Sequence, residues 1–289
     1  MYLLNKRERK SSSPTMEIWL RLKKNRLAVI SLVILGILVV ISILGERILP
    51  YNYAEQDYSS ILERPNAEHL LGTDNFGRDI FSRILFGTRF TLIIGFGCAT
   101  VAAILGTVLG ILAATNRRLD MIIMRCIDVI MGIPTFMLSL SIIVALGSSI
   151  RNMMIALSIT CIPLFTRIVR SQVLTIQGQE YIEAATAIGA SRFWIIRHHI
   201  IPNSMAVIIV QYTLEVVDLI TWSASLSFIG MGVQPPTPEW GLMISAGRTY
   251  LQDYWYMSIM PGIALIICTY ALNLLGDGLR DALDPRLKR

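Results

Sequence analysis

Charge is scarce in this chain. Only 16% of its 289 residues are Asp, Glu, Lys or Arg, against roughly 25% in a soluble domain. All five lysines lie at positions 24 or below, or at 288. A phosphate-binding loop of the G-x-x-x-x-G-K type therefore has no lysine to use between them. Histidine is rarer still. His198 and His199 are adjacent, so they project in different directions on a helix and lack the HExxH spacing of a metalloprotease. No G-x-S-x-G elbow of a serine hydrolase occurs. The four cysteines, Cys98, Cys126, Cys161 and Cys268, show no CxxC pairing or metal spacing. They fall in apolar runs and read as reduced thiols packing like small hydrophobes. No basic groove with aromatic platforms is visible, so nucleic acid is not an expected partner. These absences leave no catalytic residue, metal site or bound cofactor to expect in this chain.

What fills the sequence instead is apolar. Hydrophobic residues make up 54% of it, and runs of about 18 or more mark membrane spans. Leu27 to Gly45, Phe90 to Thr115, Val129 to Ile150 and Tyr254 to Gly276 carry no Asp, Glu, Lys or Arg. Asn152 to Thr166 is short, and Ser204 to Gly232 is interrupted by Glu215 and Asp218. This pattern predicts an all-α polytopic membrane protein with spans near 27–48, 90–115, 121–147, 150–174, 204–230 and 254–276, preceded by a basic arm over 1–26. Together 27–289 would form one transmembrane domain. Most of the 26 Lys and Arg fall in the two ends and the second and fourth loops. The positive-inside rule then places both termini in the cytoplasm of a multi-pass membrane protein. A removable signal peptide is not expected, because no short apolar core with a cleavage-like site precedes the first span.

Within the expected helices, Gly106 and Gly110 form a small-xxx-small spacing suited to close packing inside the fold. Pro134 should kink the third span or end a half-helix. Asp128 should pair with Arg125 or Arg118. The long external loop, 50–88, is expected to end in a helix capped by Asp74. Its apolar stripe is Ile80, Phe81, Ile84 and Leu85, with Arg78, Asp79 and Arg83 on the opposite, solvated face and Arg78 paired with Asp79. Trp240, Tyr250, Tyr254, Trp255 and Tyr256 fit an outer aromatic belt.

Two stretches carry the functional signal. Residues 180–202 form the polar interruption assigned to the cytoplasmic side. Tyr181, Ala184, Ala185 and Ile188 repeat at helical spacing, Gly189 permits a turn, and Phe193, Trp194, Ile196 and Ile200 follow in a second amphipathic piece. Such a knob suits a groove on a soluble partner, or it lies on lipid headgroups. The second stretch is a polar stripe inside the fifth span: Gln211, Glu215, Asp218 and Trp222 at one-turn intervals. Intramembrane acids are costly and are default functional candidates. They would line a translocation path for cationic cargo, or form a structural pair with a neighbouring helix.

The residues of the knob resemble a known family. Glu183-Ala184-Ala185, three residues, then Gly189, and Pro202 after twelve more, resembles the EAA signature of permease subunits of bacterial ABC importers. Where that family commonly has Ile-x-Leu-Pro, this chain has His199-Ile200-Ile201-Pro202, similar to the peptide and nickel branch. Gly72-Thr73-Asp74-x-x-Gly77-Arg78-Asp79-x-x-Ser82-Arg83 resembles the GTD-x-x-GRD-x-x-SR block of dipeptide, oligopeptide and nickel permeases. Leu164 to Arg170, Ser225 to Gly241 and Gly276 to Arg286 are similar to the same family. The resemblance implies a type I importer permease with six transmembrane helices in a bacterial inner or plasma membrane, and a coupling segment that sits in a cleft of an ATPase. It assigns Glu183, Ala184, Ala185, Gly189, Arg192, Phe193 and Pro202 to that coupling. It also implies a second homologous permease subunit, two ATP-binding subunits that carry ATP and Mg, and an external solute-binding protein. Cargo would be a peptide or a nickel or other metal chelate. A stand-alone secondary transporter or channel, with Glu215 and Asp218 as an ion relay, is the alternative; dependence on a separate ATPase discriminates the two.

Overall fold

A computed structural model describes residues 14–283. The first half of the basic arm and the end of the C-terminal run lie outside that range. Helix α1 (Pro14–Leu22) leads through the N-cap Asn25 into α2 (Arg26–Leu44). Then come α3 (Ile80–Thr115), α4 (Arg117–Met131), α5 (Thr135–Leu146) and α6 (Ile150–Gln177). The short helix α7 (Glu180–Ala187) precedes α8 (Arg192–Ile195), which runs through a π-turn at Ile196–Ile200 into α9 (Ile201–Phe228). Helix α10 (Trp240–Gly247) and α11 (Tyr256–Leu283) complete the chain. Among the described residues, five helices are long and apolar enough to cross a membrane, counting Arg192–Phe228 as one, and the bent pair α4–α5 makes a sixth if it is one span.

The core is built on α3 against α6, with α9 packed on both and α11 joined to them through α9, α2 and α10. Small residues on α3 set the approach. A Cβ on Gly106 would collide with Phe165, and one on Gly110 would sit 2.8 Å from the Thr166 carbonyl oxygen. Cys98, Ala99 and Ala102 are buried in the same interface, so the two backbones come together over several turns. The Gly106 to Gly110 spacing serves packing within the chain.

Helix α4 starts one residue after α3, because Asn116 caps it by accepting from the Arg118 and Leu119 amides. It ends at Gly132, and Pro134 begins α5 at 91° to it. Proline cannot continue the ladder from the preceding turn, so the expected third span is two half-helices. Asp128 does not pair within α4. It accepts from Arg167 Nη2 at 2.5 Å, and Asp120 takes Arg170 bidentately at 2.5 and 2.7 Å. Arg167 and Arg170 are three apart on α6, so they reach two acids spaced two turns apart on α4. The Arg167–Asp128 pair is exposed and the Arg170–Asp120 pair half-buried, and exposed pairs contribute about 1 kcal/mol or less in water. Their main effect is to set the register of α4 against α6.

At the other end of α3, residues 49–79 fold into a cap. The helix begins at Ile80, with Asp79 as its N-cap through a 2.7 Å bond from the Ser82 amide. Asp74 does not cap it. Its Oδ1 accepts from the Phe76 and Arg78 amides and its Oδ2 from Arg78 Nε at 2.7 Å. A turn with Gly77 at φ +70° makes that possible, and a Cβ there would collide with the Asp57 carbonyl oxygen. Arg78 therefore pairs with Asp74, while Asp79 faces His69 Nδ1 at 3.0 Å. Neither the expected solvated face nor the outer belt is found here. Arg78, Asp79 and Arg83 are buried, because the loop lies over them and supplies partners such as the Tyr53 carbonyl for Arg83 Nη1 at 2.8 Å. Trp240 is fully buried, donating to the Ile84 carbonyl at 3.0 Å. Tyr256 is equally enclosed, its hydroxyl bonded to the carbonyls of Leu62 and Glu63. Trp255 alone of that aromatic set is strongly exposed. On the cap surface, hydrogen bonds from Ser59 hold the Asp57 carboxyl below its ordinary range.

Candidate functional site

The cytoplasm-assigned segment is anchored on one face and bare on the other. Ile182, Ile195 and Ile200 join Val169, Val173 and Ile176 of α6 in a small separate core. The expected apolar face of α7 divides accordingly. Ala185 is buried like Ile182, while Tyr181, Ala184 and Ile188 are exposed. Gly189 turns the chain at φ +87°, a conformation that a residue with a Cβ adopts only at a cost. Ser191 then caps α8 by accepting from the Trp194 amide. Ile188 is 87% exposed and Phe193 72%. Glu183 and Arg192 are exposed beside them, and Pro202 sits in the first turn of α9, where its missing N–H costs little. Trp194 stacks on His198 with ring centres 4.6 Å apart, giving the exposed edge a fixed shape. Burial of a side chain such as Ile or Phe is worth about 1.5–3 kcal/mol, which these two residues forgo within the chain.

The stripe on α9 meets the break between α4 and α5. A cavity of about 320 Å³ opens there, lined by Met131, Ile133 and Thr135 on one side and by Thr160, Cys161 and Pro163 of α6 on another. Glu215, Asp218 and Trp222 form its third wall. Gln211 does not line it. It donates from Nε2 to Glu215 Oε1 at 2.8 Å, while Cys161 Sγ donates to Glu215 Oε2 at 3.1 Å. Glu215 is thus 7% exposed with both oxygens occupied. Asp218 is exposed toward the cavity side and accepts no hydrogen bond from any described residue. Trp222 packs on Phe136 of α5, with ring centres 5.7 Å apart. The level of the cavity follows from α3, whose Gly95 packs against Val216 and Ile220. Fifteen residues separate Gly95 from the outer start of α3, or about 22 Å at the helical rise.

Sequence reasoning missed Cys161 and Thr160. Their part in this wall depends on which face of α6 meets α9, and no local pattern reports that. Pro163, Ser139 and Thr160 offered a weak signal as polar or helix-disturbing residues inside apolar runs. The Ser139 and Thr160 hydroxyls lie 3.3 Å apart across α5 and α6.

Comparison with known proteins follows from this geometry. Residues 106–289 match the family described as binding-protein-dependent transport system inner membrane component. Residues 13–65 match the N-terminal TM domain of oligopeptide transport permease C. A dipeptide transport system permease protein of Alkalihalophilus pseudofirmus is 43% identical over 277 residues, covering 96% of this chain and 91% of that protein. A glutathione transport system permease protein of Pectobacterium atrosepticum is 39% identical, with 98% and 94% covered. Among solved structures, a chain of the MetNI methionine ABC transporter in an inward-facing conformation aligns at TM-score 0.58 and 21% identity, over 70% of this chain and 96% of that one. That likeness is one of fold, a type I importer permease. The long apolar helices, the broken span and the matched families agree, and this chain belongs to the binding-protein-dependent transport system inner membrane component family, as a permease subunit of an ABC importer.

Proposed function

We propose that this chain forms half of a translocation pathway for short peptides and couples it to separate ATPase subunits. The observation that carries the reading is the pairing of two features on one continuous helix. Phe193 stands bare at one end of Arg192–Phe228, and Glu215, Asp218 and Trp222 face a cavity midway along it. In this reading the segment 180–202 sits in a cleft of an ATP-binding subunit. Phe193 and Ile188 are the apolar contacts, and Glu183 and Arg192 the charged rim. A second homologous permease subunit closes the other half of the path, two ATP-binding subunits bind ATP and Mg, and an external binding protein delivers cargo. Both termini lie in the cytoplasm of a bacterial inner membrane.

Peptide cargo is supported by the relatives, whose names specify dipeptides, peptides and glutathione. It is also supported by the chemistry of the cavity. A free Asp218 carboxylate beside the satisfied Glu215 offers a partner to a peptide's ammonium group, and Trp222 with Phe136 offers an apolar wall. A cavity of this size holds a dipeptide-sized molecule.

The test is uptake by the assembled importer in proteoliposomes. Uptake should require ATP at constant membrane potential and should fail when the ATPase subunits are omitted. Glu215→Gln combined with Asp218→Asn should lower uptake at least tenfold while the complex still assembles. Unchanged uptake in that double variant removes the path assignment, and uptake without the ATPase removes the coupling.

A further inference from the structure

The cap over the outer end of α3 encloses a second cavity, larger than the first at about 540 Å³. Its polar wall is Asp74, Asn75, Arg78 and Arg83, and its floor includes Ile80, Met243 and Met257. Two guanidinium groups face one carboxylate, so the wall carries a net positive charge. Arg83 is committed, with Nη1 on the Tyr53 carbonyl and Nε 3.7 Å from Asp74. Arg78 is only half committed. Nε is held by Asp74 at 2.7 Å, and the Phe76 ring covers one face of the guanidinium at 4.6 Å. Its two terminal amino groups form no hydrogen bond with any described residue, although the side chain is only 8% exposed. Beside it, Asn75 Oδ1 is buried with no hydrogen-bond partner.

The buried Asn75 oxygen costs free energy unless a ligand donates to it, and the unpaired edge of Arg78 beside it offers an anion a partner. The ligand that fits must bring an oxyanion for Arg78, an N–H for Asn75, and an apolar group for Met243 and Met257. We propose that this cavity is an outer receiving site for the C-terminal carboxylate of a short peptide, with Arg78 as the carboxylate clamp and Asn75 as acceptor for the adjoining peptide N–H. A carboxylate on the free edge of Arg78 gains two parallel charge-assisted bonds, the stronger type of protein hydrogen bond. The site lies about 22 Å outward of the Glu215 cavity along α3, so one peptide does not span both. It meets the carboxylate end first, and the deeper cavity meets the ammonium end later. This inference rests on the peptide reading above.

The experiment is direct binding to the purified importer complex, without the external binding protein, by titration calorimetry with a dipeptide and with the same dipeptide as its C-terminal amide. The free acid should bind at least tenfold more tightly than the amide. Arg78→Gln should abolish that preference. Asp218→Asn should leave it intact, which separates this site from the deeper one. Arg78→Lys should restore part of the affinity without the full preference, since a point charge lacks the fork. Unfolding temperatures of the variants report whether the cap still forms. Equal binding of acid and amide, absence of binding, or a preference that survives Arg78→Gln overturns the proposal. So does an Arg78→Gln effect seen only on affinity for the binding protein, since the cavity would then be a docking socket. Loss of ATP-driven uptake with the acid-over-amide preference intact would instead count against the transport reading alone.

Discussion

The two ends of the α3–α6 framework are finished differently. At the outer end, acids and arginines that look solvent-facing in sequence are roofed by residues 49–79, and apart from the free edge of Arg78 they find partners within the chain. At the inner end, the segment after α6 buries Ile182, Ile195 and Ile200 and leaves Ile188 and Phe193 bare. The outer end is covered by its own chain around the cavity at Arg78. The inner end leaves apolar side chains uncovered. The difference teaches where each end gets its stability, and it sets the expected consequences of substitution.

Substitution at the cap should be the most costly. Gly77→Val must move a left-handed turn and clear the Asp57 carbonyl, and should cost about 3 kcal/mol or more. A lowered unfolding midpoint of the detergent-purified chain and faster proteolysis within 50–79 would register it. A midpoint equal to that of the unchanged protein would mean the cap is not pinned through this turn. A milder cut is Tyr256→Phe, which takes a donor from the Leu62 and Glu63 carbonyls and should cost about 1 kcal/mol in the same assay. At the inner end, Phe193→Ala should change stability by less than about 0.5 kcal/mol, as for other exposed sites. Yet it should lower retention of the ATPase subunits on the permease at least tenfold, as loss of an aromatic anchor does. A large stability loss with unchanged ATPase retention would reverse the comparison.

The sequence carried the inner end and the membrane scaffold well. Runs such as Phe90–Thr115 and the proline at 134 translate into helices and a break because apolar length and a missing N–H act locally. Gly189 and Pro202 work through backbone geometry and were equally legible. The cap was not. Trp240 and Tyr256 stand near helix starts, where an aromatic at a lipid interface and one beneath a distant loop look alike. Their partners, Ile84 and Leu62, are 156 and 194 residues away. The charged residues misled for the same reason. Arg83 lines the same cavity as Ile80, so the expected split into an apolar and a solvated face does not hold, and nothing local told that a loop covers both. Asp128 chose Arg167 over Arg125 because α6 lies alongside α4, a fact of packing. Of the path residues, Glu215 and Asp218 were visible as acids out of place. Cys161 was invisible, since a thiol among leucines becomes notable only when an acid lies against it.

Helix continuity from Arg192 to Phe228 has a mechanical corollary. Pro202 falls in the first turn of α9, where its missing N–H costs little, and a π-turn at 196–200 joins α8 to α9. Asp218 lies twenty-five residues on from Phe193, about 38 Å at the helical rise. In the proposed coupling, the displacement of a cargo group at Asp218 derives from the one delivered at Phe193 along this helix.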